Sequence, residues 1–301
     1  MEEISTANEE QKILQALNLL ELELQRIKQE RETQVQRPSA APCAESATTP
    51  TPHNVVPFPA RQPDKPERRA GNAVLMDYLY GIDDGTLATP LDSRIKELCR
   101  YAIKAPAARA LRARRLLLAR AIDETCTRLG EEARILSVGC GHFREADLSR
   151  AIHSGRFGQV EAFDSNADCL HVVEDCYGKL GVKTRQGSLH GLITGKCRFE
   201  CYDLVYSAGL CDLLDDSDAK QLAQHLFKTL RPGGKLILAN FRPGIPEIHY
   251  LEGLLDWRPH YRTDDEVLDL LLSIHYNDIA SAKVLHDIGH RIAFLEAIRY
   301  G

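Results

Sequence analysis

The chain has 301 residues, 44% of them hydrophobic, enough for one full-sized core plus appendages. Its net charge of -5 argues against a general nucleic-acid binder, which carries a basic excess. No run approaches the roughly 20 apolar residues that span a bilayer. The acidic opening Met1-Glu2-Glu3-Ile4 lacks the apolar stretch of a secretory signal, so a cytoplasmic location is expected.

Taken in chain order, residues 1–36 read as an amphipathic helix. Ile13, Leu17, Leu20, Leu24 and Ile27 alternate steps of four and three, the spacing of a coiled-coil seam, for less than three heptads. Such a helix either docks on its own chain or serves as a dimerisation arm. Residues 37–70 hold Pro38, Pro42, Pro50, Pro52, Pro57, Pro59, Pro63 and Pro66 among Ala, Ser and Thr. Proline fixes φ and removes a donor, so this stretch reads as a flexible linker. Residues 71–132 regain helical spacing over 91–101 and 105–129 and read as a helical cap and substrate region. Arg109, Arg112, Arg114, Arg115 and Arg120 form a basic stripe, read first as a solvated face and second as an attractor of an anionic substrate.

From 133 to 301 strand and helix patterns alternate. The spacing predicts strands at 134–139, 158–163, 181–186, 202–207 and 234–240, and helices at 144–154, 166–179, 216–230, 246–256 and 264–276. Residues 188–199 look too short and too glycine-rich for a good helix. Ala282–His286 and Arg291–Arg299 flank Asp287-Ile288-Gly289, a hairpin signal. The pattern is an α/β fold: a doubly wound, seven-stranded, mostly parallel sheet closed by an antiparallel hairpin. Nine scattered cysteines read as free thiols in a reducing compartment. Cys197 and Cys201 lack a second ligand pair, so no metal site is expected.

The apolar run Ile135, Leu136, Val138 leads into Gly139-Cys140-Gly141, and the second strand ends in Phe163-Asp164. Glycines there let backbone approach a ligand. A dinucleotide loop of the G-x-G-x-x-G kind demands glycine at 144, where this chain has Arg144. A nucleoside with an amino-acid tail suits the loop better. Asp164 can accept from both ribose hydroxyls, or cap the helix that follows. Gln186-Gly187-Ser188-Leu189 borders the place of a base, and Tyr206-Ser207-Ala208-Gly209 ends a buried strand in small residues that leave room for a substrate.

In order and spacing, Val138-Gly139-Cys140-Gly141, Asp164, Tyr202-Asp203-Leu204-Val205, Leu230-Arg231-Pro232-Gly233-Gly234 and the closing hairpin resemble the class I S-adenosylmethionine-dependent methyltransferases over roughly 133–301. Ser137 stands where that family places an acid and Phe143 where its loop places a third glycine. A narrower set includes Ala105–Arg114, Arg144-Glu145, Tyr206–Asp212, Asn240-Phe241-Arg242-Pro243, Asp256-Trp257 and Tyr261-Arg262-Thr263. It is similar to bacterial methyltransferases of 3-hydroxypalmitic acid methyl ester biosynthesis.

The resemblance implies a Rossmann-like methyltransferase sheet with an N-terminal helical cap. It also implies S-adenosylmethionine as cofactor and a small-molecule acceptor, fatty-acid-like or a secondary metabolite, methylated on a carboxylate or hydroxyl. Cofactor contacts are then expected from Ser137, Gly139, Cys140, Gly141, Arg144, Asp164 and Ser165. Gly187, Ser188, Leu189, Ser207, Ala208 and Gly209 complete that expected set.

A carboxylate acceptor needs a cation and no base, which nominates Arg242 and Arg262. A hydroxyl or amine acceptor asks for a base, which nominates His249, His260 and Tyr261; Tyr206 either orients or stacks on the substrate or belongs to the core with its hydroxyl satisfied. His142 faces either the methionine moiety or solvent. The alternative reading is a methyltransferase-like binding or regulatory subunit with an N-terminal oligomerisation helix. A nicotinamide oxidoreductase is disfavoured by Arg144 and the hairpin.

Overall fold

A computed structural model describes residues 73–82, 103–199, 201–245, 252 and 257–301. The arm at 1–36, the proline-rich segment at 37–70, the expected helix at 91–101, most of that at 246–256, and His249 lie outside the described residues.

Seven strands form one sheet in the spatial order β3-β2-β1-β4-β5-β7-β6. They are β1 (Arg134–Val138), β2 (Gln159–Asp164), β3 (Val182–Gln186), β4 (Tyr202–Ser207), β5 (Leu230–Phe241), β6 (Ile279–His286) and β7 (Ile292–Arg299). β1 to β5 are mutually parallel, and β7 runs antiparallel between β5 and β6. The late hairpin therefore closes the sheet. β4 is buried at every residue, as a central strand covered on both faces requires.

The main helices are α1 (Ala73–Tyr80), α2 (Pro106–Leu129), α3 (Arg150–Ser154), α4 (Ala167–Tyr177), α5 (Leu189–Ile193), α6 (Asp216–Lys228) and α7 (Asp264–Leu268). Strand alternation splits the core between the two faces of the sheet. On one face Ile135, Leu204 and Ile237 meet Leu118, Ile122 and Cys126 of α2. On the other, Leu136, Val205 and Leu236 meet Leu222 and Leu226 of α6. A third cluster joins Ala107, Ala108 and Leu111 of α2 to Leu79, Phe241, Phe294 and Trp257. That cluster seats α1 and the start of α2 beside the carboxyl end of β5.

Four local expectations are revised. The single helix predicted over 144–154 is a 3-10 turn at Arg144–Leu148 followed by α3. The break falls at Ser149, whose hydroxyl caps α3 by accepting from Ile152 N and donates to Asp123 at 2.6 Å. Pro232-Gly233-Gly234 lies within β5 rather than before it: Tyr202 pairs with Leu230 and Leu204 with Lys235, so the extra residues bulge. Gly233 has φ +74°, and a Cβ on Gly234 would sit 2.8 Å from a carbonyl oxygen. The segment after 188 does form a short helix, α5, capped by Ser188. The last predicted helix ends early, since α7 gives way to a turn at Asp269–Leu271.

Ser149→Ala removes a helix cap and one partner of Asp123. It should cost about 1–2 kcal/mol in urea unfolding, with little change in the denaturant slope.

Candidate active site at the carboxyl ends of β1, β2 and β4

β1 and β4 are neighbours in the sheet while their helices lie on opposite faces, so a crevice opens above their carboxyl ends. A cavity of about 340 Å³ occupies it. Its floor is the loop after β1. Gly139 and Gly141 have φ of +66° and +53°, the left-handed region glycine enters without Cβ strain. The loop is tied to the end of β2: Phe163 O accepts from Gly139 N at 2.8 Å and Cys140 N at 3.0 Å. The Asp164 carboxylate accepts from Gly141 N (2.8 Å) through one oxygen and Asn166 N (2.9 Å) through the other. Each oxygen keeps a second lone pair for a ligand hydroxyl. Asn166 itself caps α4, so Asp164 does not have to.

Phe143 also adopts a left-handed backbone, φ 54°. The loop thus keeps the conformation for which a glycine is the usual choice, at a strain of about 1–2 kcal/mol. The ring is fully buried, edge-on to Tyr177 at 5.9 Å, and its packing offsets that cost.

α1 forms a wall over the loop. Asp77 is buried and receives His142 Nδ1 at 2.8 Å, Arg144 Nε at 3.0 Å and Arg144 Nη2 at 2.6 Å. Burial alone would raise the Asp77 carboxyl, but bonds and charges from His142 and Arg144 outweigh it and hold it below its ordinary value. The same pair pushes Arg144 up, against the desolvation of its guanidinium. Arg112 Nη1 donates to Leu79 O at 2.6 Å, and Arg115 lies over the Tyr80 ring at 5.4 Å. The basic stripe of α2 is therefore only partly solvated. Arg109 and Arg120 are exposed, whereas Arg112, Arg114 and Arg115 turn toward α1 and the loop.

Of the residues expected to contact a cofactor, the first loop brings Ser137, Gly139, Cys140, Gly141 and Arg144 to the cavity wall. The loops after β2, β3 and β4 add Asp164 and Ser165, then Gly187 and Leu189, then Ala208 and Gly209. Ser188 and Ser207 are not on the wall. Ser188 is engaged as the cap of α5, and Ser207 is buried with its hydroxyl unpartnered among the described residues. Cys140 is pushed well up by burial, then by the charges of Asp164 and Glu145; Cys169, also on the wall, is pushed up to about 12 by burial, then by the charges of Asp164, Asp168 and Asp77. Both thiols stay protonated and are poor nucleophiles.

The described residues nominated for chemistry are placed elsewhere. Tyr206 is fully buried in the sheet, and its hydroxyl donates to Glu145 at 2.8 Å. Burial raises both groups, strongly for Tyr206. Tyr206 fixes Glu145, and Glu145 reaches the wall. Arg242 is committed to Asp264 at 3.0 Å and His290 O at 3.1 Å, on the hairpin side. Tyr261 packs against the third core cluster. His260 donates its backbone N–H to Asp212 O at 2.7 Å and does not line the cavity.

Arg262 is 2% exposed. Its five N–H groups bond Asp216, Asn240 Oδ1, Cys211 O and Leu214 O at 2.7–3.1 Å. It cross-braces the loop after β4 to the end of β5, leaving no donor for a substrate. Sequence reasoning assigned no role to Asp77, Tyr80, Glu145 or Trp257, all on the wall, and read Arg114 within a stripe that was first a solvated face and second an attractor of an anionic substrate. Glu145, Arg114 and Trp257 stood inside the stretches that carried the narrower resemblance. Asp77 carried no local signal.

Among the described residues no cluster of His, Cys, Asp or Glu could hold a metal, and no helix is long and apolar enough to cross a membrane. No protein-family model matches the chain, and no curated protein matches it. Solved structures do. A possible exported protein from Bordetella parapertussis superposes with TM-score 0.61 at 20% identity, covering 77% of this chain and 81% of that one. The S-adenosylmethionine-dependent methyltransferase SibL in its apo form matches with TM-score 0.50 at 16% identity, covering 74% of this chain and 62% of that one. Strand order, hairpin and these likenesses make the architecture the Rossmann-like methyltransferase fold.

Arg262→Ala would orphan buried acceptors on Cys211, Leu214 and Asn240. It should cost about 3 kcal/mol or more, read by urea unfolding. Asp212 is buried, accepts from Phe241 N at 2.8 Å, and is raised by desolvation to about 7 from 3.8. A raised folded-state value means its stabilising share is complete below about pH 4 and lost as pH climbs through about 7. Asp212→Asn keeps the acceptor and removes the titration. Its stability relative to the parent should therefore increase between pH 5 and pH 8 in thermal unfolding; an unchanged difference would contradict this.

Proposed function

We propose that the chain is an S-adenosylmethionine-dependent methyltransferase acting on an oxygen of a small-molecule acceptor, foremost a carboxylate. The observation that carries this reading is Asp164. Its carboxylate stands at the end of β2, oriented by two backbone donors, each oxygen still able to accept, beside a loop opened by two left-handed glycines. A ribose diol suits such an acceptor pair. The absence of glycine at 144 and the Asp77–Arg144 pair in that place disfavour a pyrophosphate. The likeness to SibL supports the same donor.

The residues present fit that group. Asp164 would hold the sugar. Ser165, Gly187 and Leu189 would border the base, with the Phe163 ring held 2.5 Å from where a Cβ on Gly187 would sit. Ser137 and the backbone of 139–141 would follow the amino-acid tail. S-adenosylmethionine supplies, when bound, an electrophilic methyl carbon on a sulfonium. The chain's own task is to align the acceptor oxygen in line with the carbon–sulfur bond and keep water away. Positioning of this kind supplies up to about 7–11 kcal/mol.

A carboxylate loses no proton on methylation. That agrees with His142, whose Nδ1 is engaged by Asp77 and which is the one histidine on the cavity wall among the described residues.

Calorimetric titration with S-adenosylhomocysteine should show binding that Asp164→Ala weakens at least tenfold, about 1.4 kcal/mol. NAD should not bind. Equal affinity for the variant, or preference for NAD, would overturn the reading.

A further inference from the structure

Two buried arginines border the loop after β4, and they differ in how well they are satisfied. Arg262 has a protein acceptor for every N–H. Arg114 is 4% exposed and lines the cavity, yet makes one strong bond, from Nη1 to Ala208 O at 2.5 Å. Its Nη2 contacts are a sulfur at 3.8 Å and Tyr80 Oη at 3.5 Å, and its Nε has no partner among the described residues. Trp257 repeats the pattern. It is 4% exposed, lines the same cavity, packs edge-on against Phe241 at 5.2 Å, and its Nε1 has no partner among the described residues. Buried donors are rarely left unpaired, because each costs about 1–3 kcal/mol. The Arg114 guanidinium, weakly engaged at Nη2, and the Trp257 indole border one cavity, and a cation beside an indole suits an anion. Leu210, Leu213 and Met76 add an apolar surface to that wall.

We propose that Arg114 and Trp257 bind the carboxylate of the methyl acceptor, so that the substrate class is an organic acid with an apolar body. This rests on the methyltransferase reading and names the cation that Arg242 and Arg262 do not provide. Arg114 stands at Gly209, whose Cβ position lies 3.7 Å from Nη1, on the β4 side of the crevice and away from Asp164's loop. In the reaction a carboxylate oxygen forms the bond to the methyl carbon with its own lone pair. The carbon–sulfur bond breaks with its pair going to sulfur, the products are a neutral ester and a neutral thioether, and no proton moves. The guanidinium holds the other oxygen and fixes the approach.

Trp257 is the single tryptophan of the chain, so its emission reports on this wall. The full-length protein is first saturated with S-adenosylhomocysteine, whose binding tests the methyltransferase reading separately. It is then titrated with octanoate, with octanamide as the uncharged control. The expected result is a saturable change in emission with octanoate alone, its affinity at least tenfold lower in Arg114→Gln and partly retained in Arg114→Lys. Trp257→Phe, followed by calorimetry, should weaken octanoate several-fold and serves if the arginine variants fail to fold.

No octanoate response in the saturated protein overturns the proposal. So does an equal response to octanamide. So does an Arg114→Gln variant that loses affinity for S-adenosylhomocysteine but not for 5′-methylthioadenosine, which lacks the amino-acid tail; the guanidinium would then serve the donor's own carboxylate.

Discussion

The end of β2 holds the site together. One carbonyl, Phe163 O, and one carboxylate, Asp164, take the backbone N–H groups of Gly139, Cys140, Gly141 and Asn166. Those four bonds fix the loop after β1 and the start of α4 relative to the sheet, so the glycine floor and the acidic wall are one unit. Every other wall is built onto that unit: α1 through His142 and Arg144, and α2 through Arg115 to Arg144 O and Asp147. Backbone donors aimed at a carboxylate cost little entropy to keep in place, since the strand ends are already ordered by the sheet.

The sheet was legible because its strands follow rules that act locally. β1 and β4 are short, largely apolar segments that lead into loops of small residues, and β6 and β7 flank a turn signal. The glycines at 139 and 141 and the acid at 164 were legible for the same reason, since backbone geometry at a strand end restricts residue type. The fate of charged side chains was not. Arg242, Arg262 and Arg114 look alike in sequence, and their roles depend on acceptors far away along the chain. Arg262 meets carbonyls at 211 and 214, and Arg114 meets one at 208. Tyr206 was misplaced by a similar ambiguity. A tyrosine at the end of a strand can point at a substrate or sit in the core with its hydroxyl satisfied, and the acceptor that satisfies it, Glu145, is brought over by the turn at Arg144–Leu148.

The acids around the crevice show how burial sorts like groups into different states. Asp77, met by two partners, sits below its ordinary value despite burial, whereas Glu145 and Asp212 rise because desolvation exceeds the help they receive. The site thus keeps an ion pair, Asp77 with Arg144, under α1 and protonatable acids near β4.

Asp77 of α1 lies 65 residues ahead of His142 and 67 ahead of Arg144, yet it is the counter-ion of both. A fragment trimmed to begin at α2 would retain all seven strands and still present two basic side chains with their anion removed, at an open crevice. The autonomous unit of this protein is therefore larger than its sheet, and any shortened form or fusion junction has to keep the short helix at Ala73 if the pocket is to have its fourth side.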